Sequence, residues 1–500
     1  MKKDLVVLFY PKTEPDNIYR NLPISILKLA SQVIASGYRV RVVDSRIEED
    51  YEPVIRQIAG ETLCFGVSAM TGFQINHGIK ASEIAKRINH DIPVVWGGWH
   101  ASLLPSQTLE NDFIDIAVIG QGERTLSELL GVLANGGDFK NISGIAFKDQ
   151  NGAVIQNTCR RFEDIDNFAP VNFEAINIDK YINESELGKR TISWNTSQGC
   201  PFCCGFCCTP VLYGRNWASL SVERILGEIE TLISRFNVDS ILFAEDNFFT
   251  NRERVSAICT EIVKRKLKFH WSTDGRIDQI LRLEPELFSL LNESGCHKIY
   301  LGAESGDQDV LNLIDKKIKR EDTYKAVDLL GRHNIKAELF LMVGFPLNPK
   351  KDLNETLKMI SGIKRNYPNH QATPFLYTPY PGTKLFDLAK NYGLRPPGSL
   401  RAWGNWSLLA PISPWIDKSY LDRVNRLVKF YLPFAYPSDS LRKRMEKGVS
   451  GYFYRIMHRI AKFRIEKNIL IFPIEWQVVK FIYYKVMLRY NIFKNLSVPR

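Results

Sequence analysis

Between residues 200 and 208 the chain reads Cys200-Pro201-Phe202-Cys203-Cys204-Gly205-Phe206-Cys207-Cys208, a run that contains five of its nine cysteines. Thiolates are soft ligands that suit iron–sulfur clusters and zinc. Within the run, Cys200, Cys204 and Cys207 have the spacing C-x3-C-x2-C. Three thiolates leave one iron of a [4Fe–4S] cluster without a protein ligand, and an open iron is what chemistry at a cluster requires.

The alternative is a structural zinc site, which needs four closely spaced ligands. The next cysteine and histidine after the run are Cys259 and His270, which lie too far along the chain for a zinc knuckle. The spacing therefore favours the cluster. We interpret the two remaining cysteines of the run, Cys203 and Cys208, as small apolar side chains.

The residues around the triplet carry a resemblance to a known family. The segment Thr196-Ser197-Gln198-Gly199-Cys200-Pro201-Phe202-Cys203-Cys204-Gly205-Phe206-Cys207 resembles the cluster loop of the radical S-adenosylmethionine (radical SAM) enzymes, including the aromatic Phe206 before the last ligand. The resemblance implies a [4Fe–4S] cluster on Cys200, Cys204 and Cys207. It also implies that the open iron chelates SAM, and that the reduced cluster cleaves SAM to methionine and a 5′-deoxyadenosyl radical.

The composition is that of a soluble globular protein with several domains, since 45% of its 500 residues are hydrophobic and 24% are charged. Clustered cysteines, and no targeting segment before the apolar run at residues 5–9, predict a cytoplasmic protein. The net charge of +11 is concentrated in residues 401–500, which hold 19 Lys and Arg but 6 Asp and Glu. Because the rest of the chain is close to neutral, nucleic acid is not an expected partner.

Residues 1–140 alternate apolar runs with helical patterns, which is typical of a parallel, doubly wound (Rossmann-like) sheet. Ligands of such sheets bind beyond the carboxyl ends of the strands. Loops rich in small residues follow three predicted strands, at residues 68–72, 97–102 and 120–123. Glycine lets a backbone approach a large ligand closely, but no G-x-G-x-x-G follows the first strand, so a dinucleotide is not expected.

Residues 96–101 and 118–123 resemble the cobalamin-binding domain that precedes the barrel in one subclass of radical SAM enzymes. That subclass commonly lacks the D-x-H-x-x-G motif whose His ligates cobalt elsewhere, as this chain does, so the resemblance implies base-off cobalamin without a His ligand. A domain that has lost its cofactor is the alternative. We interpret His100 as a hydrogen-bonding loop residue rather than a cobalt ligand. The resemblance implies cobalamin contacts from Ser68, Thr71, Gly97, Gly98, His100, Gly120, Gly122 and Glu123.

Residues 141–188 are predicted to be a connection that contains a hairpin around the turn Asn151-Gly152. Residues 189–400 repeat a strand–helix unit six times. Six parallel units fit the partial (β/α)6 TIM-type barrel of radical SAM enzymes, in which chemistry lies at the carboxyl ends of the strands. Its strands are predicted over residues 192–197, 240–244, 268–272, 298–302, 337–343 and 373–378.

Polar residues follow those strands. After the second strand, the resemblance implies that Asp246, with Asn247 beside it, contacts the SAM amino group. Either residue could equally well be the N-cap of a helix. Arg276, after the third strand, is interpreted as pairing with a carboxylate or bridging to a neighbouring loop. The resemblance implies further SAM contacts from Glu304, Ser305, Gly344 and Tyr380.

Residues 401–500 combine basic with aromatic residues in helical patterns over 441–447, 452–465 and 474–488. The most apolar window, residues 469–488, contains Pro473 and three charged residues, so it is a poor transmembrane span. Three interpretations stay open: a helix in a membrane interface, a basic cap packed on the barrel, and an RNA-contacting face, in falling order of preference. The aromatic residues among the charges are Trp476, Phe481, Tyr483 and Tyr484.

These features predict a cytoplasmic, cobalamin-binding radical SAM enzyme, with peripheral contact at the membrane as the alternative localisation. By resemblance, the expected reaction methylates an unactivated carbon of a small or lipid-like substrate through a 5′-deoxyadenosyl radical and methylcobalamin. A flavodoxin- or ferredoxin-type protein would supply electrons. The alternatives are a cyclase or oxidase of the tetrapyrrole type, and a non-catalytic cobalamin or SAM sensor, which would not need the cysteine triplet.

Overall fold

The computed structural model describes residues 3–13, 20–406, 412–437, 439–446, 448–470 and 473–482. The chain divides into two compact units. The first comprises Met1–Ile299, Ile314–Lys316 and Thr378–Ile412. The second comprises Tyr300–Leu313, Lys317–Tyr377 and Ser413–Arg500.

A seven-stranded sheet forms the beginning of the first unit, with the spatial order β2-β1-β3-β4-β5-β6-β7. The strands are β1 (Leu5–Tyr10), β2 (Arg39–Asp44), β3 (Thr62–Ser68), β4 (Val94–Gly97), β5 (Ile116–Val118), β6 (Ile145–Lys148) and β7 (Val154–Gln156). The helices between them are α1 (Ile24–Ala35), α2 (Glu52–Ile58), α3 (Phe73–Ile88), α4 (Trp99–Leu103), α5 (Pro105–Leu109) and α6 (Glu123–Asn135).

The first five strands are parallel, which confirms the predicted doubly wound alternation. Strand β1 is buried from Leu5 to Phe9, as expected for a central strand covered on both faces. The predicted hairpin is present, and it extends this sheet because β6 pairs antiparallel with β5 and β7 pairs antiparallel with β6. Gly152, in its turn, has a φ of +79°, a conformation that glycine adopts without strain.

Six strands form the second sheet, in the order β15-β14-β13-β12-β11-β8. A separate antiparallel ladder of β9 and β10, which the sequence patterns did not predict, flanks the cysteine run. The strands are β8 (Thr191–Trp194), β9 (Ser197–Gly199), β10 (Trp217–Ser219), β11 (Ser240–Phe243), β12 (His270–Gly275), β13 (Cys296–Glu304), β14 (Lys336–Val343) and β15 (Gln371–Leu376).

The six barrel strands are confirmed, but three predicted bounds are wrong: the first strand, predicted over 192–197, ends at Trp194, and the sixth, predicted over 373–378, ends at Leu376. The third, predicted over 268–272, begins at His270 and continues to Gly275, and its pairing with β11 reaches Thr273, opposite Phe243. The helices of this part are α7 (Thr209–Tyr213), α8 (Val222–Phe236), α9 (Arg252–Lys264), α10 (Ile277–Ile280), α11 (Pro285–Glu293), α12 (Gln308–Leu313), α13 (Arg320–Arg332), α14 (Pro349–Asn366), α15 (Lys384–Lys390) and α16 (Leu400–Trp403).

The C-terminal residues of the second unit are helical, as predicted. They form α17 (Lys418–Arg426), a π-helical turn (Leu427–Tyr431), α18 (Leu432–Ala435), α19 (Asp439–Met445), α20 (Gly448–Glu466) and α21 (Ile474–Ile482). The helix predicted over residues 474–488 is described only as far as Ile482, and Tyr483 and Tyr484 lie outside the described residues. Within the described part of the chain, no helix is both long enough and apolar enough to cross a membrane.

Candidate functional site

The cysteine loop lies between β9 and α7 in the first unit. Two backbone hydrogen bonds hold its centre: Gly205 N–H donates to the Ile314 carbonyl at 2.8 Å, and Leu385 N–H donates to the Gly205 carbonyl at 2.9 Å. A Cβ atom on Gly205 would lie 2.7 Å from Leu385 Cδ1. A side chain here would have to displace that of Leu385, and the two backbone bonds fix the loop between the second and third cysteines of the triplet.

The thiols of the triplet differ in exposure, since Cys204 is buried while Cys200 and Cys207 are partly exposed. Burial raises the pKa of the Cys207 thiol to about 11 and also raises that of Cys200, and Cys204 contributes to both shifts as a neighbouring charge. Binding of iron must therefore displace protons from these groups. Among the described residues, no group of three or more His, Cys, Asp or Glu side chains is arranged to hold a metal ion, so the fit of this loop to a cluster rests on its donor set and on the cation beside it.

That cation is Arg276, which follows β12 and is buried. Its Nη1 donates to Cys204 Sγ at 3.1 Å and its Nε to Asp278 Oδ1 at 3.0 Å. Its Nη2 donates to the Lys316 carbonyl at 2.9 Å, and the guanidinium carbon lies 3.8 Å from the centre of the Phe202 ring. Arg276 thus pairs with a carboxylate and also bridges to a neighbouring loop. Its contact with Cys204 fits a thiolate ligand, whose negative charge a guanidinium stabilises.

Two carboxylates follow β11 and have different surroundings. Glu245 accepts hydrogen bonds from the Thr196 N–H and hydroxyl, both at 2.6 Å, and from the Ser197 hydroxyl, so it holds β9 in place. Asp246 accepts from Gly199 N–H at 2.9 Å and from Thr209 Oγ1 at 3.0 Å. Burial raises the pKa of the Asp246 carboxyl. Asp246 therefore joins both ends of the cysteine loop.

Neither predicted helix-capping role is found at this strand end. Asn247 precedes a short 3-10 helix, Phe248–Thr250, but its side chain does not cap it. Both polar atoms of the Asn247 amide are buried without a hydrogen-bond partner in the described structure. Buried amides are nearly always hydrogen-bonded. A polar cofactor bound at the strand end would supply the missing hydrogen-bond partners of both atoms.

A cavity of about 410 Å³ adjoins this strand end in the first unit. Asp246 and Asp274 line it from the barrel, and Lys28 and Glu123 line it from the N-terminal sheet domain. Burial, and then the neighbouring Glu245 and Asp246, raises the pKa of Asp274 to about 7. The cavity is therefore polar, and it places carboxylates opposite a lysine.

Lys28 and Asp274 were not predicted as site residues. Lys28 lies on α1, where its Nζ donates to Asn195 Oδ1 at 2.7 Å and to the Asn195 carbonyl at 3.3 Å. Burial lowers the pKa of the Lys28 ammonium. The sequence did contain a signal for each residue. Lys28 is a lysine within an apolar helical pattern, and Asp274 is a carboxylate at the end of the third barrel strand.

In the second unit, two predicted SAM contacts meet on one carboxylate that was not predicted. Ser305 Oγ donates to Asp352 Oδ1 at 2.6 Å, and Gly344 N–H donates to Asp352 Oδ2 at 2.9 Å. Asp352 is fully buried, and burial raises its pKa to about 6. Glu304 is buried with a φ of +63°, an uncommon conformation that turns the chain sharply at the end of β13.

Tyr380, the remaining predicted SAM contact, belongs to the first unit and is half-buried. Burial, with a smaller effect of Cys208, raises the pKa of its hydroxyl to about 12, so it is neutral at physiological pH. Its carbonyl accepts a hydrogen bond from Thr383 Oγ1 at 2.8 Å, which fixes the start of α15. Tyr380 can therefore act as a neutral hydrogen-bond donor or acceptor, or as a flat apolar surface.

A second cavity, of about 190 Å³, lies at the carboxyl edge of the N-terminal sheet in the first unit. Gly98 has a φ of +87°, and a Cβ there would lie 2.9 Å from the Ala69 carbonyl. Gly120 has a φ of +79°. Such backbone positions admit a large ligand close to the loops. Six of the eight predicted cobalamin contacts line this cavity: Ser68, Gly97, Gly98, Gly120, Gly122 and Glu123.

The other two, Thr71 and His100, contact each other instead and do not line the cavity. Thr71 Oγ1 lies 3.0 Å from His100 Nδ1, and the imidazole is fully buried with its centre 5.7 Å from that of a Trp403 ring. Burial lowers the pKa of His100 to about 4, so the ring is neutral. This placement agrees with our interpretation of His100 as a hydrogen-bonding residue.

Two family models match the chain: the radical SAM superfamily at residues 194–360, and the B12 binding domain at residues 19–130. An uncharacterized methyltransferase of Pyrococcus horikoshii is 28% identical over 421 residues, which are 82% of this chain and 87% of the relative. The anaerobic magnesium-protoporphyrin IX monomethyl ester cyclase of Rubrivivax gelatinosus is 30% identical over 373 residues, which are 73% of this chain but only 65% of the cyclase.

Among solved structures, the cobalamin-dependent S-adenosylmethionine radical enzyme OxsB, with aqua-cobalamin and S-adenosylmethionine bound, superposes with a TM-score of 0.73. The sequence identity is 17%, and the match covers 96% of this chain and 75% of that chain. This likeness shows that the two chains share a fold.

Proposed function

Because the chain belongs to the radical SAM enzymes that carry a B12-binding domain, we propose that it methylates an unactivated carbon of a small or lipid-like substrate. A [4Fe–4S] cluster, SAM and cobalamin are the cofactors of these families, and when bound they supply a 5′-deoxyadenosyl radical and a transferable methyl group. The chain's own residues must hold these groups, position the substrate and exclude water.

One observation supports methyl transfer above the others. The glycine-lined cavity of the N-terminal sheet and the polar cavity beside Asp246 share wall residues, namely Ser25, Trp99, Glu123, Gln198 and Tyr213. Methyl transfer to a carbon radical requires one substrate atom to be within reach of both the radical source and the methyl donor. Adjacent cavities that share a wall meet this requirement.

Within this proposal the site residues have distinct tasks. Asp246 and Asn247 accept from and donate to the polar end of SAM at the end of β11. Within the second unit, Asp352 positions Ser305 and Gly344 at the ends of β13 and β14, and their contact with SAM stays a prediction. Lys28 and Asp274 both line the polar cavity and face the substrate there.

Cys200, Cys204 and Cys207 are the proposed cluster ligands. We expect Cys→Ala variants of these three to lose most of the iron that the reconstituted protein holds, whereas Cys203→Ala and Cys208→Ala keep it. Iron content and Mössbauer spectra measure this directly. Full retention of the cluster in Cys204→Ala would contradict the assignment.

The test of the reaction is anaerobic turnover with candidate lipids and tetrapyrroles, followed by mass spectrometry. Methyl transfer adds one methyl group in place of hydrogen and forms both 5′-deoxyadenosine and S-adenosylhomocysteine. A second candidate, oxidative ring closure, is favoured by the 30% identity to the cyclase. It would give 5′-deoxyadenosine without S-adenosylhomocysteine and a product without an added methyl group.

Two partners belong to the same proposal. One is a flavodoxin- or ferredoxin-type protein that reduces the cluster, and its test is turnover with each reduced protein in place of dithionite. The other is an anionic membrane surface contacted peripherally from the cytoplasm by residues 440–490, of which the structure describes most residues up to 482. The supporting observation is the excess of 19 basic over 6 acidic residues in the last hundred.

A further inference from the structure

A third cavity, of about 430 Å³, lies in the second unit at the C-terminal end of α14. Helices α19 and α20 and the segment 435–437 form its other walls. It is separate in sequence from every residue assigned above to the cluster, SAM or cobalamin. Its charged and titratable lining consists of Lys364, Arg365, Tyr436, Arg442, His458, Lys462 and Glu466.

Four basic side chains from three helices thus line one cavity that holds a single carboxylate. Lys364 is half-buried, and its Nζ donates to the Pro368 carbonyl at 3.0 Å and to the His370 carbonyl. Burial, and then repulsion by Arg442, lowers the pKa of this ammonium to about 8. An anion in the cavity would relieve that repulsion and accept several charge-assisted hydrogen bonds at once.

The polar groups of the cavity are arranged for a ligand with several acceptors. His458 Nδ1 lies 2.8 Å from the Phe434 carbonyl and donates to it, so this bond fixes the ring at the cavity wall and leaves the arginine and lysine side chains as the donors. Arg442 Nε donates to the Pro437 carbonyl at 3.1 Å, which leaves its terminal nitrogens for another acceptor. A phosphate group matches this set, because its oxygens can accept from separate donors around it.

An exposed apolar stripe runs along the same helix that supplies His458 and Lys462. On α20, Tyr452, Ile456 and Phe463 are 62%, 36% and 55% exposed. Their spacing of four and seven residues places them on one helical face, next to the face that lines the cavity. Exposed apolar groups beside a basic pocket are typical of a surface that meets lipid.

We propose that this cavity binds the phosphate group of an anionic phospholipid, while the apolar stripe of α20 contacts the acyl region. The site rests on the membrane contact proposed above for residues 440–490 and narrows it to one pocket, and its test does not depend on turnover. The proposal assigns membrane binding to one defined pocket rather than to the overall positive charge of the segment. Arg442 and Lys462 should therefore contribute more to the affinity than equally basic neighbours.

The experiment compares matched variants of the full, cofactor-loaded protein in co-sedimentation with vesicles of phosphatidylglycerol and phosphatidylcholine. Arg442→Gln and Lys462→Gln each remove a charge that lines the cavity, whereas Lys443→Gln and Arg444→Gln each remove an exposed charge of α19 outside the cavity lining. We expect each pocket variant to weaken binding by about fivefold or more, and each control by about twofold or less. Equal weakening by pocket and control variants would overturn the proposal.

Inorganic phosphate provides the second arm, measured by titration calorimetry with the full protein. We expect millimolar phosphate to bind in an Arg442-dependent way and to displace the protein from vesicles. Binding of phosphate without any binding to anionic vesicles would overturn the lipid assignment and identify a soluble phosphate compound as the ligand. Thermal unfolding and iron content of each variant, if unchanged, exclude misfolding as the cause of an effect.

Discussion

At the residue scale, the contact between Arg276 and Cys204 has a measurable consequence. A permanent cation that donates to a ligand sulfur stabilises the reduced, more negative form of a cluster. We therefore expect Arg276→Gln to lower the reduction potential of the reconstituted cluster, as followed by EPR in a redox titration. The matched control is Arg282→Gln, an exposed arginine just after α10. An unchanged potential in Arg276→Gln would show that the contact is only structural.

Asp274 predicts a pH dependence of stability in the cofactor-free protein. Its pKa is raised by burial to about 7, so the folded state keeps a proton that the unfolded state loses above about pH 4. Ionisation in the unfolded state therefore destabilises the fold progressively up to pH 7, by about 1.4 kcal/mol per pH unit. Below pH 4 both states are protonated and the effect vanishes.

Asp274→Asn removes this cost. In urea unfolding, we expect its stability gain over the wild type to grow from pH 4 to pH 7, to about 4 kcal/mol at most, and then to level off. Glu293→Gln, at an exposed position, should show no such trend. A gain that falls as pH rises would contradict the assigned direction.

At single residues, sequence reasoning is most specific where the residue type alone limits the chemistry, and the roles that it assigns there stay predictions. Three cysteines at fixed spacing, and glycines at strand ends, have few other uses. It missed Lys28 and Asp352, because a buried lysine on a helix and an acid in a first helical turn look like ordinary surface residues until tertiary packing buries them. It also included Thr71, whose hydroxyl is used within the domain by His100.

At the element scale, Asp352 joins two strand ends through the first turn of α14. Asp352→Ala leaves the Ser305 hydroxyl and the Gly344 N–H buried without their acceptor, and each loss costs about 1–3 kcal/mol. We expect a loss of about 2–4 kcal/mol in urea unfolding and a weaker affinity of the reconstituted protein for SAM.

Two further variants sharpen this test. Asp352→Asn keeps one acceptor oxygen and should lose about half as much stability. Lys350→Ala, at an exposed position on the same helix turn, should change neither stability nor SAM affinity. If Asp352→Ala loses stability but binds SAM normally, the carboxylate serves the fold alone.

Elements were predictable where periodicity was strong, as in the buried strand Leu5–Tyr10 and the long helix Val222–Phe236. Prediction failed where polar residues continue a strand, as at the end of β12, because pairing with β11 rather than residue preference extends it. The ladder of β9 and β10 was missed for a similar reason, since three-residue strands leave no periodic signal.

At the scale of the whole molecule, the state of cobalamin can be tested with the intact protein. His100 is buried, neutral and directed to Thr71, so we expect cob(II)alamin in the protein to show no nitrogen splitting in its EPR spectrum. His100→Ala should leave that spectrum unchanged. Axial splitting that disappears in His100→Ala would instead identify a cobalt ligand and would require the loop to rearrange.

Hydrogen bonds link the N-terminal domain to the segment that leads into the cysteine loop. Gln121 Nε2 donates to Gln198 Oε1 at 2.9 Å, and Lys28 donates to Asn195 Oδ1. The domain is consequently not an interchangeable module. A chimera that joins residues 1–140 of a relative to this barrel must preserve both contacts. Natural recombination between the N-terminal domain and the barrel would therefore be tolerated only when the two had diverged together.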